Sequence, residues 1–421
     1  MKNLILFFIC TGFTLPAFAE APNADSRLKT LEQKVQELER HQNNPEIRES
    51  SKKKVSADGF NPAVSLILDG KYATYSQNPS SYAIAGFAVD REVTERKEGF
   101  YADESEITLS ANVDHLFYGQ FTAAFNGSEV GVEEAFFETL SLGHGFTLRG
   151  GRFLSGIGYS NSVHVHAWDF ADQALVVRAL IGKHHYLDDG IQLRWVAPTD
   201  FFLEFGGELF RGDEYPTGGA ERSGRGADTL FVRIGGDVGT SHGWRAGLSR
   251  LDARVSNRET GDETTPDSFT GDSWLSIADF VWKWAPNGNA REQNFKFQTE
   301  YYTRDEDGNF TDGASATTDV YQGNQKGWYA QGVYQFMPRW RLGLRYSEAK
   351  ADAVSGTLVG TALDAQGHKP KATSLMLDFS NSEFSRLRLQ VNRDEARVDV
   401  KDTQWFLQYT MSLGPHGAHG F

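Results

Sequence analysis

The chain has 421 residues, 42 Lys+Arg against 56 Asp+Glu for a formal charge of −14, 43 Gly, 12 Pro, 13% aromatics and a single Cys. One cysteine excludes disulfide scaffolds and Cys-based zinc fingers, and the acidic balance argues against a nucleic-acid partner. Plentiful Gly, Phe, Tyr and Trp with little Pro point to many strands and turns rather than to disorder.

Residues 1–19 read as a signal peptide. Lys2 supplies the positive start, Leu4 to Leu15 the apolar stretch, and Ala17-Phe18-Ala19 the small-x-small cleavage pattern. The lone Cys10 lies inside it. Beyond it no apolar run approaches the roughly 18 residues of a membrane-spanning helix. In 25–42, Leu28, Leu31, Val35 and Leu38 follow a 3-4-3 spacing, which predicts a short helical coiled-coil neck. Two heptads do not hold alone in water, so such a neck needs an already associated body. Residues 43–62, polar and carrying Pro45 and Lys52-Lys53-Lys54, read as a linker.

From Ala63 the period is two. Val64, Leu66 and Leu68 alternate with Ser65 and Asp69, and Trp340, Leu342, Leu344 and Tyr346 alternate with Arg341 and Arg345. Leu387, Leu389 and Val391 alternate with Arg386, Arg388 and Gln390. Such segments recur about sixteen times, each roughly 9–13 residues, near the length of a tilted strand crossing a bilayer. Tight turns such as Leu142-Gly143-His144-Gly145 and Met337-Pro338-Arg339 alternate with longer polar loops at 77–100, 158–188, 212–227, 257–272, 305–326 and 350–371. The predicted fold is all-β: an antiparallel transmembrane β-barrel of about 16 strands over 63–421. Trp195, Trp244, Trp282, Trp284, Trp328, Trp340 and Trp405 are expected beside the tight turns as an interfacial girdle.

On this architecture the chain resembles the Gram-negative outer-membrane porins. His166-Ala167-Trp168-Asp169-Phe170, Asp188-Asp189-Gly190 with Gln192-Leu193-Arg194-Trp195, and the ending Met411-Ser412-Leu413 through Phe421 are similar to a proteobacterial family labelled zinc-regulated or TonB-dependent outer-membrane receptors. No plug domain precedes the first predicted strand, which departs from TonB-driven receptors. The resemblance implies a third long loop folded into the lumen and a homotrimer. It also implies recognition of the terminal Phe421 by barrel-assembly machinery.

If apolar positions face lipid, the other parity faces the lumen and carries Arg194, Arg341, Arg345, Arg386 and Arg388 among its charges. The third loop offers Asp169 and Asp172, expected to face that arginine wall across the pore constriction and set a transverse field. His164, His166, His184, His185, Asp188 and Asp189 form a loose His/Asp set suited to transient zinc. Gly239-Thr240-Ser241-His242-Gly243 matches a nucleophile elbow, but a strand follows instead of a helix. Asp305-x-Asp307-Gly308-Asn309 is only a fragment of a calcium loop. The expected function is therefore a non-enzymatic outer-membrane channel for small hydrophilic solutes or ions, in contact with outer-membrane lipid. No catalytic residue and no resident cofactor are expected, and both termini should lie on the periplasmic side. The alternative is zinc-linked uptake through the third loop.

Overall fold

The structure is a computed structural model and describes residues 62–127, 129–218 and 224–414. The predicted signal, neck and most of the linker, His416, His419 and Phe421 lie outside these residues. Seventeen strand segments make one antiparallel sheet. They are β1 (Ala63–Tyr75), β2 (Gly99–Ala102), β3 (Ser105–Asn112), β4 (Phe117–Asn126), β5 (Glu129–Thr139), β6 (Phe146–Leu154), β7 (Leu187–Val196), β8 (Phe202–Phe210) and β9 (Ala227–Val238). Then follow β10 (His242–Thr260), β11 (Asp267–Trp284), β12 (Asn294–Asp312), β13 (Thr317–Met337), β14 (Trp340–Ala351), β15 (Lys371–Ser382), β16 (Ser385–Glu395) and β17 (Asp402–Leu413). Both β2 and β3 pair with β1, so they are one stave broken at Asp103-Glu104 and the barrel has 16 strands. Ten residue pairs between β1 and β17, from Leu66–Leu413 to Tyr75–Gln404, close it. Closure removes every sheet edge, which a bilayer demands.

Strand parity follows the residue pattern. Leu230, Leu248, Leu344 and Leu375 are exposed on the outer wall, whereas Arg345, Arg388, Gln390 and Gln404 are buried inside. Aromatic rings gather near the short turns: Phe146, Trp195 and Phe205 stack in sequence, Trp282 meets Phe295, and Trp340 meets Phe379. Trp328 and Trp405 depart from the expected position. They sit toward the long-loop end, where Trp328 packs on Tyr346 and Tyr72 on Phe100. Met337 at the short turn lies nine positions along β13 from Trp328. That is about 30 Å along a strand, or about 23 Å of height at a tilt near 40°. Two girdles that far apart bound one hydrocarbon layer.

The loops expected at 257–272 and 305–326 are largely strand, because β10 to β13 run 18–21 residues. The reason is a change of face. In β10 the outward positions pass from Ala246 and Leu248 to Arg250, Asp252 and Arg254, while the inward ones pass from Arg245 and Ser249 to Leu251, Ala253 and Val255. Beyond the second girdle the outside is wet and the inside dry. That dry face packs against Tyr82, Ile84, Phe87, Leu358, Leu363 and the short α-helix of the third loop, α1 (Leu175–Leu180). Gly327 on β13 makes the approach feasible, since a Cβ there would lie 2.7 Å from Val176. The long-loop end of the interior is thus filled on the β10–β13 side by an apolar core.

Candidate functional site

The third loop spans 155–186 and lies inside the barrel. At its base, Asn161 donates to the carbonyls of Ser155 and Tyr186 and accepts from the Tyr186 N–H (2.9, 2.9 and 2.6 Å). Glu300 of β12 accepts from the N–H groups of Tyr159 and Ser160, and Glu208 of β8 from Gly156. Buried loop amides are thereby satisfied by wall carboxylates, and that of Gly158 by Ser249 Oγ at 3.0 Å.

The loop then crosses to the β12–β16 wall, where the expected constriction residues meet. Asp169 is 3.0 Å from both Lys296 and Arg341. Asp172 accepts from Arg345, Gln390 and Asn392 at 2.5, 2.7 and 2.9 Å. Arg386 and Arg388 reach the loop carbonyls of His166 and Trp168 at 2.7 and 2.8 Å. Lys71 of β1 donates to the Ala171 carbonyl at 2.6 Å. Burial would raise the Asp169 and Asp172 carboxyls, but the cations outweigh it and hold both below the usual range. Asp169 and Asp172 therefore contact the arginine wall directly instead of facing it across an open gap, and the pairs act as a latch.

Arg194 lies elsewhere. It shares Glu138 with Arg149 and approaches Glu204, which also binds Arg233. Arg149, Arg194, Arg233 and Arg245 line a chamber of about 380 Å³ between the loop and the opposite wall, joined by Glu134 and His164. A second cavity of about 560 Å³, toward the long loops, is bordered by Glu92, Glu104, Glu133, His184 and His185.

Between these two cavities stands a cluster of imidazoles and carboxylates. The rings of His164 and His166 stack at 5.7 Å, and those of His164 and His185 meet edge-on at 6.4 Å. His164 Nδ1 is 3.6 Å from both Glu106 and Glu133, and its Nε2 is 3.3 Å from Glu134. His166 Nδ1 is 2.9 Å from Glu106, and His184 Nδ1 is 3.1 Å from Glu104. Burial would lower the His164 pKa, but Glu133, Glu134 and Glu106 together raise it well above the ordinary value. His184 and His185 are pushed down by burial, His184 to about 3.

Four of the six expected metal-binding residues, the histidines, thus converge. Asp188 and Asp189 do not join them. They follow Leu187 at the start of β7, where Asp188 accepts from the N–H groups of Gly212 and Asp213, and Asp189 faces Arg152. Glutamates take their place. Glu133 and Glu134 are adjacent in sequence, so regular alternation would send one of them outward. A β-bulge opposite Thr122 and Ala123 turns both inward. The Gly-x-Ser-x-Gly match forms the turn from β9 to β10, with His242 stacked on Trp282 at 5.6 Å. Asp305 to Asn309 lie within β12.

No family model matches the chain. An uncharacterized protein of Aquifex aeolicus is 29% identical over 396 residues, 87% of this chain and 81% of that protein. Solved structures align over most of the barrel. OmpF of Salmonella typhi, solved with daunomycin, is 11% identical with a TM-score of 0.52, covering 85% of this chain and 99% of its own. An anion-selective porin of Comamonas acidovorans is 10% identical with a TM-score of 0.51, covering 84% and 99%. The trimer form of OmpT, an outer membrane protein of Vibrio cholerae, is 11% identical with a TM-score of 0.50, covering 84% and 99%. The fold is that of the outer-membrane porins. At these identities the likeness is one of fold.

Proposed function

We propose that the protein is a porin-like channel for passive passage of small hydrophilic solutes or ions across the outer membrane of a Gram-negative cell, with its short turns on the periplasmic side. The observation that carries this reading is the charged chamber of about 380 Å³ left open beside the latched third loop. Charged side chains of both signs in a barrel interior are tolerable only in water or in pairs, and the chamber supplies the water. Porin-like neighbours of the same fold support the location, and the trimer form of one of them supports a homotrimer here. Purified full-length protein inserted into planar bilayers should give discrete conductance steps, and native mass measurement should give three chains per particle. A folded preparation that never conducts would end the channel reading.

A second reading, uptake of zinc or a metal complex, is favoured by the convergence of His164, His166, His184 and His185 in the lumen. It predicts that replacing the four by Ala slows zinc-limited growth.

A further inference from the structure

Glu106, Glu133 and His164 each present one donor atom, and the three atoms lie within 4.8 Å of one another. The 3.6 Å from His164 Nδ1 to each carboxylate is too long for a hydrogen bond. It is close to the roughly 3.4 Å edge of a tetrahedron whose corners stand about 2.1 Å from a central ion. A second observation is independent of the spacing. Glu133 is 93% buried, and its Oε2 has no hydrogen-bond partner. A solitary ionised oxygen shielded from water is costly unless a cation faces it. Glu134 sets a third carboxyl group against the other nitrogen of the same ring, 3.3 Å from His164 Nε2. One imidazole and two carboxylates, with a coordination position left for water, suit a borderline divalent ion.

The position gives the site a consequence. His164 lines the inner chamber and Glu133 the outer cavity, so the three donors form the partition between them. We propose that a divalent transition-metal ion, zinc by its donor chemistry, binds between Glu106, Glu133 and His164 and narrows the route from one cavity to the other. The binding half stands on the donor geometry alone; the narrowing half rests on the channel reading above.

Metal-free, tag-free full-length protein in detergent would be titrated with Zn²⁺ by calorimetry, and with Co²⁺ by its visible absorption. A His416→Ala/His419→Ala background removes the terminal histidines. One saturable ion per chain is expected. Glu133→Gln and His164→Gln should each weaken it by at least about tenfold, while His242→Ala leaves it unchanged. In bilayers, saturating Zn²⁺ should lower the single-channel current of the parent protein and spare that of Glu133→Gln. Absence of saturable binding, or binding unaltered in both variants that still show wild-type circular dichroism, overturns the site. Binding that leaves the current untouched overturns the narrowing. Failure to conduct without metal defeats the channel reading and leaves the titration interpretable.

Discussion

The latch makes a quantitative claim that Asp172→Ala can test. The Asp172 carboxylate accepts three side-chain hydrogen bonds, from Arg345, Gln390 and Asn392. Only 6% of the Arg345 side chain and 16% of Asp172 is exposed, so the pair is largely desolvated. Removing one partner of a buried pair costs about 3–5 kcal/mol, because the other charge is stranded. Arg345 would keep the Asp172 carbonyl, Ser374 Oγ at 3.2 Å and the face of Phe170 at 4.5 Å. That places the expected cost at the lower end, about 3 kcal/mol, or on the order of 10²-fold in the local opening equilibrium. The barrel itself stays folded, since its strand ladders are untouched, and the change is confined to the loop. Hydrogen exchange with mass spectrometry reads it directly. Ala171 and Val176 donate their N–H groups to Gln390 and Ser347, so the peptide spanning them should lose protection while β1–β17 peptides do not. Asp172→Ala with Arg345→Met removes both charges and should recover part of the loss. Wild-type protection in the single variant, or a double variant as labile as the sum of its parts, would refute the latch.

Three further outcomes follow from the same geometry. Arg194→Gln removes a chamber cation, whereas Glu134→Gln removes a chamber anion. Reversal potentials in a salt gradient should move toward cation preference in the first and anion preference in the second, and movement in the same direction would contradict the chamber's placement on the route. Leu248→Arg, on the exposed outer wall between the girdles, should cost about 2–4 kcal/mol in urea unfolding from lipid vesicles if it lies near mid-membrane. Asp252→Arg, beyond the change of face, should cost little, and equal costs would move the membrane boundary. Because the folded pKa values of Asp169 and Asp172 are depressed, the latch is fully present above the ordinary value of 3.8 and is lost only as pH falls from there through the lower folded values. Single-channel conductance should therefore show no loop-release step between pH 7 and about pH 5.

Strand number and wall parity were legible because a lipid-facing wall imposes one rule on nearly every residue. Arg345 and Leu344 announce their faces from sequence alone. Three features broke that rule and were missed. Beyond the change of face the outward positions are polar and the sequence resembles loop, so 257–272 and 305–326 looked like loops. The bulge at Glu133 inserts one residue, and period-two counting then assigns Glu133 and Glu134 to opposite faces. The adjacent pair of identical acids was the available signal, since neither sits comfortably against hydrocarbon. The partners of the third loop were beyond the pattern, because Asp172 meets Arg345 across 173 residues. Residue type alone distinguished neither a field from a latch nor Asp188 from Glu106 as a neighbour of His164.

The two arginine groups owe their different roles to what already surrounds them. On β6–β10, Arg149 and Arg194 share Glu138, while Arg233 meets Glu204 and Arg245 meets Asp279, all wall carboxylates. Each of these cations already meets a wall carboxylate, and Arg233 adds the loop carbonyl of Gly156 at 2.6 Å. On β14–β16, Arg341 and Arg388 share Asp378, while the carboxylate that meets Arg345 is supplied by loop residue Asp172. That wall is electrostatically incomplete until Asp169, Asp172 and the loop carbonyls arrive, so the loop is drawn there. Apolar burial of α1 against β12–β14 acts in the same direction. The remaining space is then the side whose arginines already meet wall carboxylates, with the His164 cluster at its entrance. The latch and the chamber are consequences of one asymmetry in where the wall places its carboxylates.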